Sequence, residues 1–142
     1  MRPLVVWRFS DGKAGHDNQS GGLTEALARL RPVEIVTPQR LSPIAALLAL
    51  AGGRLTAWPD LPAPDLLVGA GHGTHLSLLA ARQRRRARAV VLMRPSLPLA
   101  LFDLCLIPEH DTPPVRANVL ATRGALNRIQ PSSNLEPRQG LL

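Results

Sequence analysis

Four short stretches of this chain hold most of the residue types that do chemistry. "SDGKAGHDNQSGG" from Ser10 to Gly22 follows the apolar run Leu4-Val5-Val6-Trp7, and "GAGHGTH" from Gly69 to His75 follows Asp65-Leu66-Leu67-Val68. His110-Asp111 comes after the apolar run Leu104 to Ile107, and "RQRRRAR" puts five arginines between Arg82 and Arg88. Glycines let a backbone approach a ligand closely, and free amides at a helix start favour negative charge. Each strand, glycine loop and helix unit is therefore a candidate site for a phosphate or a carboxylate. Asp11, Gly12, Lys13 and Gly15 form the first such candidate, with Gly21 and Gly22 as further permissive backbone. Gly69, Gly71, His72, Gly73 and Thr74 form the second. Neither is a Walker loop, because "GKAGH" lacks the glycine-lysine-serine/threonine ending, and "GAGHGTH" lacks the third glycine of a dinucleotide fingerprint. Nucleotide hydrolysis is not supported.

Lys13 is the single lysine in a chain whose Lys and Arg residues total 17. A compact ammonium there can read an anion, or it can be a solvated side chain beside a turn capped by Asp11. His16 and Asp17 are candidates for an acid-base group or its orienter, and His110 with Asp111 makes a second such pair that a capped turn explains equally well. His72 and His75 stand three apart, a spacing compatible with metal binding, but no carboxylate or cysteine matches them locally, which favours structural or substrate-contacting histidines over a metal site. Arg82, Arg84, Arg85, Arg86 and Arg88 read as a solvated helix end favoured by the macrodipole, or as a surface for anionic lipid head groups.

The elements that must position these residues alternate. Strands are expected at Leu4–Trp7, Val33–Thr37, Asp65–Val68, Ala89–Met93, Leu104–Ile107 and Asn118–Ala121, from short β-branched apolar runs stopped by proline or glycine. A first helix is expected after a loop ending near Asn18 or Ser20, running through Leu23, Ala26, Leu27 and Leu30. A second runs from Ile44 to Ala51, ended by Gly52-Gly53, and a third follows His75. The irregular connection Arg54–Pro64 carries Trp58 as its one large anchor. Strands alternating with helices imply an α/β, Rossmann-like, mainly parallel sheet with helices on both faces. In such sheets ligands lie off the carboxyl ends of the strands, where both glycine loops, the turn at Met93-Arg94-Pro95 and the turn at His110 would emerge.

The length of 142 residues suits one domain with one core. A net charge of +7 attracts anions without naming one. Nucleic acid is not expected as a partner, since aromatics make up 3% of the chain and no standard binding motif occurs. One cysteine, Cys105, reads as a buried thiol in a reducing compartment. The start of the chain meets Arg8 and Asp11 too soon for a signal-peptide core, and an intracellular location is expected.

"W-x-x-x-DGKAGHDNQ-x-x-GL" from Trp7, "PDLLVGAGHGTH" from Pro64, "FDLCLIPEHD" from Phe102 and "NVLATRGALNRI" from Asn118 occur in that order. Together they resemble the family named for the plant elongated-mitochondria fission factor, whose bacterial members are regarded as glycosyltransferases. The resemblance implies the amino-terminal, acceptor-side domain of a GT-B-type transferase over residues 1–130, with 131–142 a linker or frayed tail and the second domain missing. It implies transfer of a sugar from a nucleotide-sugar to a cell-envelope saccharide or lipid acceptor, inactive without the second domain, with no cofactor and no metal. It places the Asp11 to His16 loop, the Gly69 to Thr74 loop and His110-Asp111 along the cleft, with His16 or Asp17 as the acceptor-activating base. The location implied is cytoplasmic, peripheral to the inner membrane. The competing implication is a non-enzymatic, membrane-peripheral adaptor.

Overall fold

The structure is a computed structural model and describes residues 2–52 and 57–124. The expected ending at Gly53, part of the Arg54–Pro64 connection and the tail 131–142 lie outside the described residues. Within them the sheet has six strands, all parallel: β1 (Leu4–Phe9), β2 (Val33–Val36), β3 (Leu66–Ala70), β4 (Arg88–Leu92), β5 (Leu104–Pro108) and β6 (Val119–Thr122). Their order across the sheet is β2-β1-β3-β4-β5-β6. The helices are α1 (Ala14–Leu30), α2 (Pro43–Leu50) and α3 (His72–Arg85). This is the expected Rossmann-like architecture.

Alternation along β1 sorts the two faces. Val5, Trp7 and Phe9 enter a core with Leu78 and Leu79 of α3 and Leu50 of α2, while Val6 enters a second core with Leu23 of α1. Helix α1 thus covers one face, and α2 and α3 the other. Trp58 is buried in the first core, where its ring meets Trp7 edge-on at 5.4 Å and Phe9 at 5.5 Å. Its indole N–H donates to Gln39 O at 2.8 Å, which satisfies the polar end of the ring inside the apolar cluster.

Helix α1 starts earlier than its sequence suggests. It begins at Ala14 with Lys13 as N-cap residue and no side-chain cap, so Gly15, His16 and Asp17 lie in its first turn rather than in a loop. Asn18 and Ser20 are inside the helix. Gly21 and Gly22 are buried mid-helix with Ser20 and Thr24, so their smallness serves close packing of α1 on the sheet rather than a flexible loop. Thr24 Oγ1 returns its hydrogen bond to the carbonyls of Ser20 and Gly21, which keeps a polar atom satisfied at that contact.

The arginine run ends α3 at the edge of the sheet opposite the glycine loops, and it is not one solvated face. Arg82 donates to both oxygens of Asp103 at 2.8 and 3.1 Å, and the same carboxylate accepts the Ala89 amide at 2.7 Å. Arg85 lies over the Trp7 ring and donates to Trp58 O at 2.9 Å. Arg84, Arg86 and Arg88 are exposed; Arg86 closes the helix in the left-handed conformation at φ 53°.

Candidate functional site

Strands β1 and β3 are neighbours whose chains depart in opposite directions, α1 returning to β2 and α3 leading to β4. The loops after them therefore open a crevice at the carboxyl edge, the position where open α/β sheets bind ligands. After Phe9 the chain turns sharply. Ser10 Oγ accepts the Gly12 amide at 3.1 Å, Asp11 Oδ1 accepts the Lys13 amide at 3.0 Å, and Gly12 takes φ +81°. The turn leaves the second oxygen of Asp11 free to accept the Nδ1–H of His16 at 2.5 Å.

The Asp11 side chain is 4% exposed and that of His16 24%. Burial alone would raise the Asp11 pKa, but the hydrogen bonds from His16 and from the Lys13 amide, with the charges of both side chains, outweigh it and hold the carboxyl below its usual value. With Nδ1 engaged by a carboxylate, Nε2 is the nitrogen of His16 left for other chemistry.

Gly71 and Gly73 explain how two loops come so close, and Gly69 lets Thr74 pack back on its own strand. A Cβ on Gly69 would stand 2.6 Å from Thr74 Oγ1. One on Gly71 would fall onto His16 Nδ1 and Asp11 Oδ2, and one on Gly73 would stand 2.5 Å from Arg40 Nη1 and 3.1 Å from Asp11 Cβ. The space these glycines leave is thus filled by the protein's own side chains. Gly71 is also the N-cap residue of α3, at φ 94° and ψ 153°, a region that other residues essentially do not occupy. Thr74 is buried, and its hydroxyl donates to Gly71 O at 2.8 Å.

Asp11, His16, Gly69, Gly71, Gly73 and Thr74 are therefore brought together. Lys13 and His72 are exposed at the starts of α1 and α3. Gly15 and Asp17 border a separate open groove with Ala14 and Asn18; one carboxylate oxygen of Asp17 is buried without a partner. His110 and Asp111 are on a short turn after β5, with side chains 68% and 39% exposed and 3.7 Å between them. Among the described residues no hydrogen bond or ion pair joins them to Asp11 or His16.

Four further side chains surround the site. Arg8, at the end of β1, donates to Asp17 O and Ser20 Oγ, both at 3.1 Å, and so ties α1 to the sheet. Arg40 donates to Gly73 O at 3.2 Å from the segment before α2. His75 is 4% exposed, and burial, helped by the nearby His72, lowers its pKa to about 4, so it is neutral at pH 7. Arg94, beyond β4, borders the same cavity as His16 and His75. Two of these were signalled in the sequence, His75 as half of a histidine pair at helical spacing and Arg94 by the turn after the fourth strand run; Arg8 and Arg40 were not. Among the described residues no group of three or more His, Cys, Asp or Glu has a metal-holding arrangement, and no helix is long and apolar enough to cross a membrane.

Fold and site together define a Rossmann-like α/β domain with a crevice at its topological switch point. The family described as Mitochondrial fission ELM1 matches residues 14–139, and the chain belongs to that family. No curated protein and no solved structure matches it.

Proposed function

We propose that this domain is the acceptor-side half of a glycosyltransferase-like protein, with the switch crevice holding the acceptor. The observation that carries the reading is the Asp11-His16 pair at the crevice mouth. A carboxylate kept ionised against Nδ1–H fixes the ring, favours the tautomer with a free Nε2, and stabilises the imidazolium that forms when Nε2 takes a proton. In the transfer, His16 Nε2 removes the proton of an acceptor hydroxyl. The hydroxyl oxygen bonds to the anomeric carbon of the donor sugar, and the bond from that carbon to the diphosphate oxygen breaks, the diphosphate leaving with the electron pair. Lys13 and the first amides of α1 offer positive charge to anionic groups of the substrates. A second domain would supply most of the nucleotide contacts.

Between the two bases weighed from sequence, the geometry favours His16, because the Asp17 carboxylate lies on the other groove. The adaptor reading draws on Arg84, Arg86 and Arg88 alone, since Arg82 and Arg85 are spent within the fold. A cytoplasmic, membrane-peripheral location fits either.

The test is calorimetric titration of nucleoside diphosphates and their sugar conjugates into this chain and into a form extended through a following domain, with product formation followed for the longer form. Transfer that falls at least a hundredfold in His16→Ala and tenfold or more in Asp11→Asn supports the reading. Binding and transfer absent from both forms would shift the weight to the adaptor.

A further inference from the structure

A small cavity of about 50 Å³ opens between the start of α3 and the end of β4, and His16, His72, His75, Met93 and Arg94 are in its wall. Two of these residues are held in unusual ways. Met93 sits at φ 69°, and its sulfur accepts the Gln19 side-chain amide at 3.2 Å, which ties α1 to the β4 end of the cavity. Arg94 is exposed and anchored, its Nη1 donating to the carbonyls of Asp111 and Thr112 at 3.3 and 3.2 Å. That leaves its remaining N–H groups for another partner.

His75 is the decisive member. Its ring lies edge-on between His72, at 5.6 Å, and Phe102, at 5.5 Å. Its Nδ1 is buried with no hydrogen-bond partner. A buried polar atom left unsatisfied is costly, and natural proteins seldom tolerate one without a use for it. The other polar groups here are donors or can become donors: the imidazoles of His16 and His72, the guanidinium of Arg94, and the free amides at the start of α3, a helix of 14 residues. No carboxylate side chain lines the cavity. A surround of donors suits a group made only of acceptors. At about 10–15 Å³ of accessible volume per water oxygen, the space matches the several oxygens of one phosphoryl group.

We infer that this cavity is a subsite for the phosphoryl group of a phosphorylated ligand, gripped by the α3 amides, His72 and Arg94, with the His75 ring at its floor. The inference rests on the crevice being a ligand site, though not on sugar transfer. It deepens the acceptor reading, because a phosphoryl group here sets a neighbouring hydroxyl beside His16. A sugar phosphate and a lipid phosphate share this chemistry.

The experiment uses the intact chain labelled for NMR, with histidine ring and backbone resonances followed during titration with inorganic phosphate. Parallel titrations use glucose 1-phosphate and farnesyl phosphate to separate the two sources. Saturable shifts at His72, His75 and the Gly71 to Thr74 amides are expected, with Kd raised at least fivefold in Arg94→Gln and in His75→Phe. Arg94 is exposed, so its variant keeps the test decisive even where His75→Phe fails to fold. Tighter binding of one organic phosphate than of the other identifies the source. Absence of saturable shifts overturns the subsite. So does binding that Lys13→Ala removes and Arg94→Gln leaves intact, which would place the anion at the start of α1 and leave the transferase reading standing.

Discussion

Replacing Gly71, Gly12 and Gly15 by alanine, one at a time, separates three physical effects within a short distance. Gly71→Ala meets two penalties. Its backbone, at φ 94° and ψ 153°, lies where a side chain costs about 1–3 kcal/mol. The added Cβ would also overlap His16 Nδ1 and Asp11 Oδ2, forcing apart a largely buried, charge-assisted hydrogen bond worth about 1.5–3 kcal/mol. The sum is about 2.5–6 kcal/mol, a large share of the ~5–15 kcal/mol that a domain has in all. Gly12→Ala keeps only the conformational penalty at φ +81°, about 1 kcal/mol, because nothing lies within 4 Å of its Cβ. Gly15 is inside the first turn of α1 with open space around it, so alanine there gains about 0.5–1 kcal/mol of helix propensity. Urea unfolding followed by tryptophan fluorescence gives the three free energies from their midpoints. A Gly71→Ala cost no larger than that of Gly12→Ala would refute the close approach of the two loops. A destabilising Gly15→Ala would refute the early helix start.

Stability falls as pH is lowered from about 6.5 to about 4, because the unfolded chain protonates His75 in that window while the folded one resists, up to a ceiling of roughly 3 kcal/mol. Urea midpoints at pH 7 and 4.5 measure it, and a His75→Phe variant should lose that slope; an unchanged slope contradicts the buried neutral ring. Asp103→Ala removes the acceptor of Arg82 and of the Ala89 amide and should cost about 1–3 kcal/mol in a thermal melt. The Arg82 hydrogen bond lowers the Asp103 pKa, so in the parent chain this contribution disappears as pH drops below about 4. Lys13→Ala should weaken binding of a nucleoside diphosphate-sugar or its acceptor, measured by calorimetry, with the melting temperature unchanged, since Lys13 is exposed; unaltered affinity removes Lys13 from the site.

The strands were legible because they are short apolar runs, several of them closed by proline or glycine, and their alternation with helices was enough to imply a parallel sheet and the edge where the loops gather. The start of α1 was not legible. Its first turn contains Gly15 and its N-cap residue, Lys13, makes no capping bond, whereas Asn18 and Ser20 carry side chains that cap well. What fixes the true start is tertiary: Arg8 reaching up from β1, and Ser20, Gly21 and Gly22 packed on the sheet. Gly71 and Gly73 were legible as necessary but not in their purpose, because the atoms that fill their space come from positions 11, 16 and 40, far away in sequence. His72 and His75 look alike as a pair at helical spacing. Burial separates them, and it depends on Phe102 arriving from beyond β4.

The aromatic cluster of the first core gives this protein a built-in optical gauge. The chain has two tryptophans and no tyrosine, so its near-ultraviolet signal arises almost wholly from Trp7 and Trp58. One is woven into β1; the other is delivered by the connection that precedes β3. Their edge-on contact at 5.4 Å couples the two indole chromophores, and Arg85 at 5.5 Å from the Trp7 ring perturbs one of them. Undocking of the connection would therefore abolish the coupled circular-dichroism band while the emission of Trp7 stays blue. Global unfolding would move both together, so light alone can tell a loosened connection from a melted sheet.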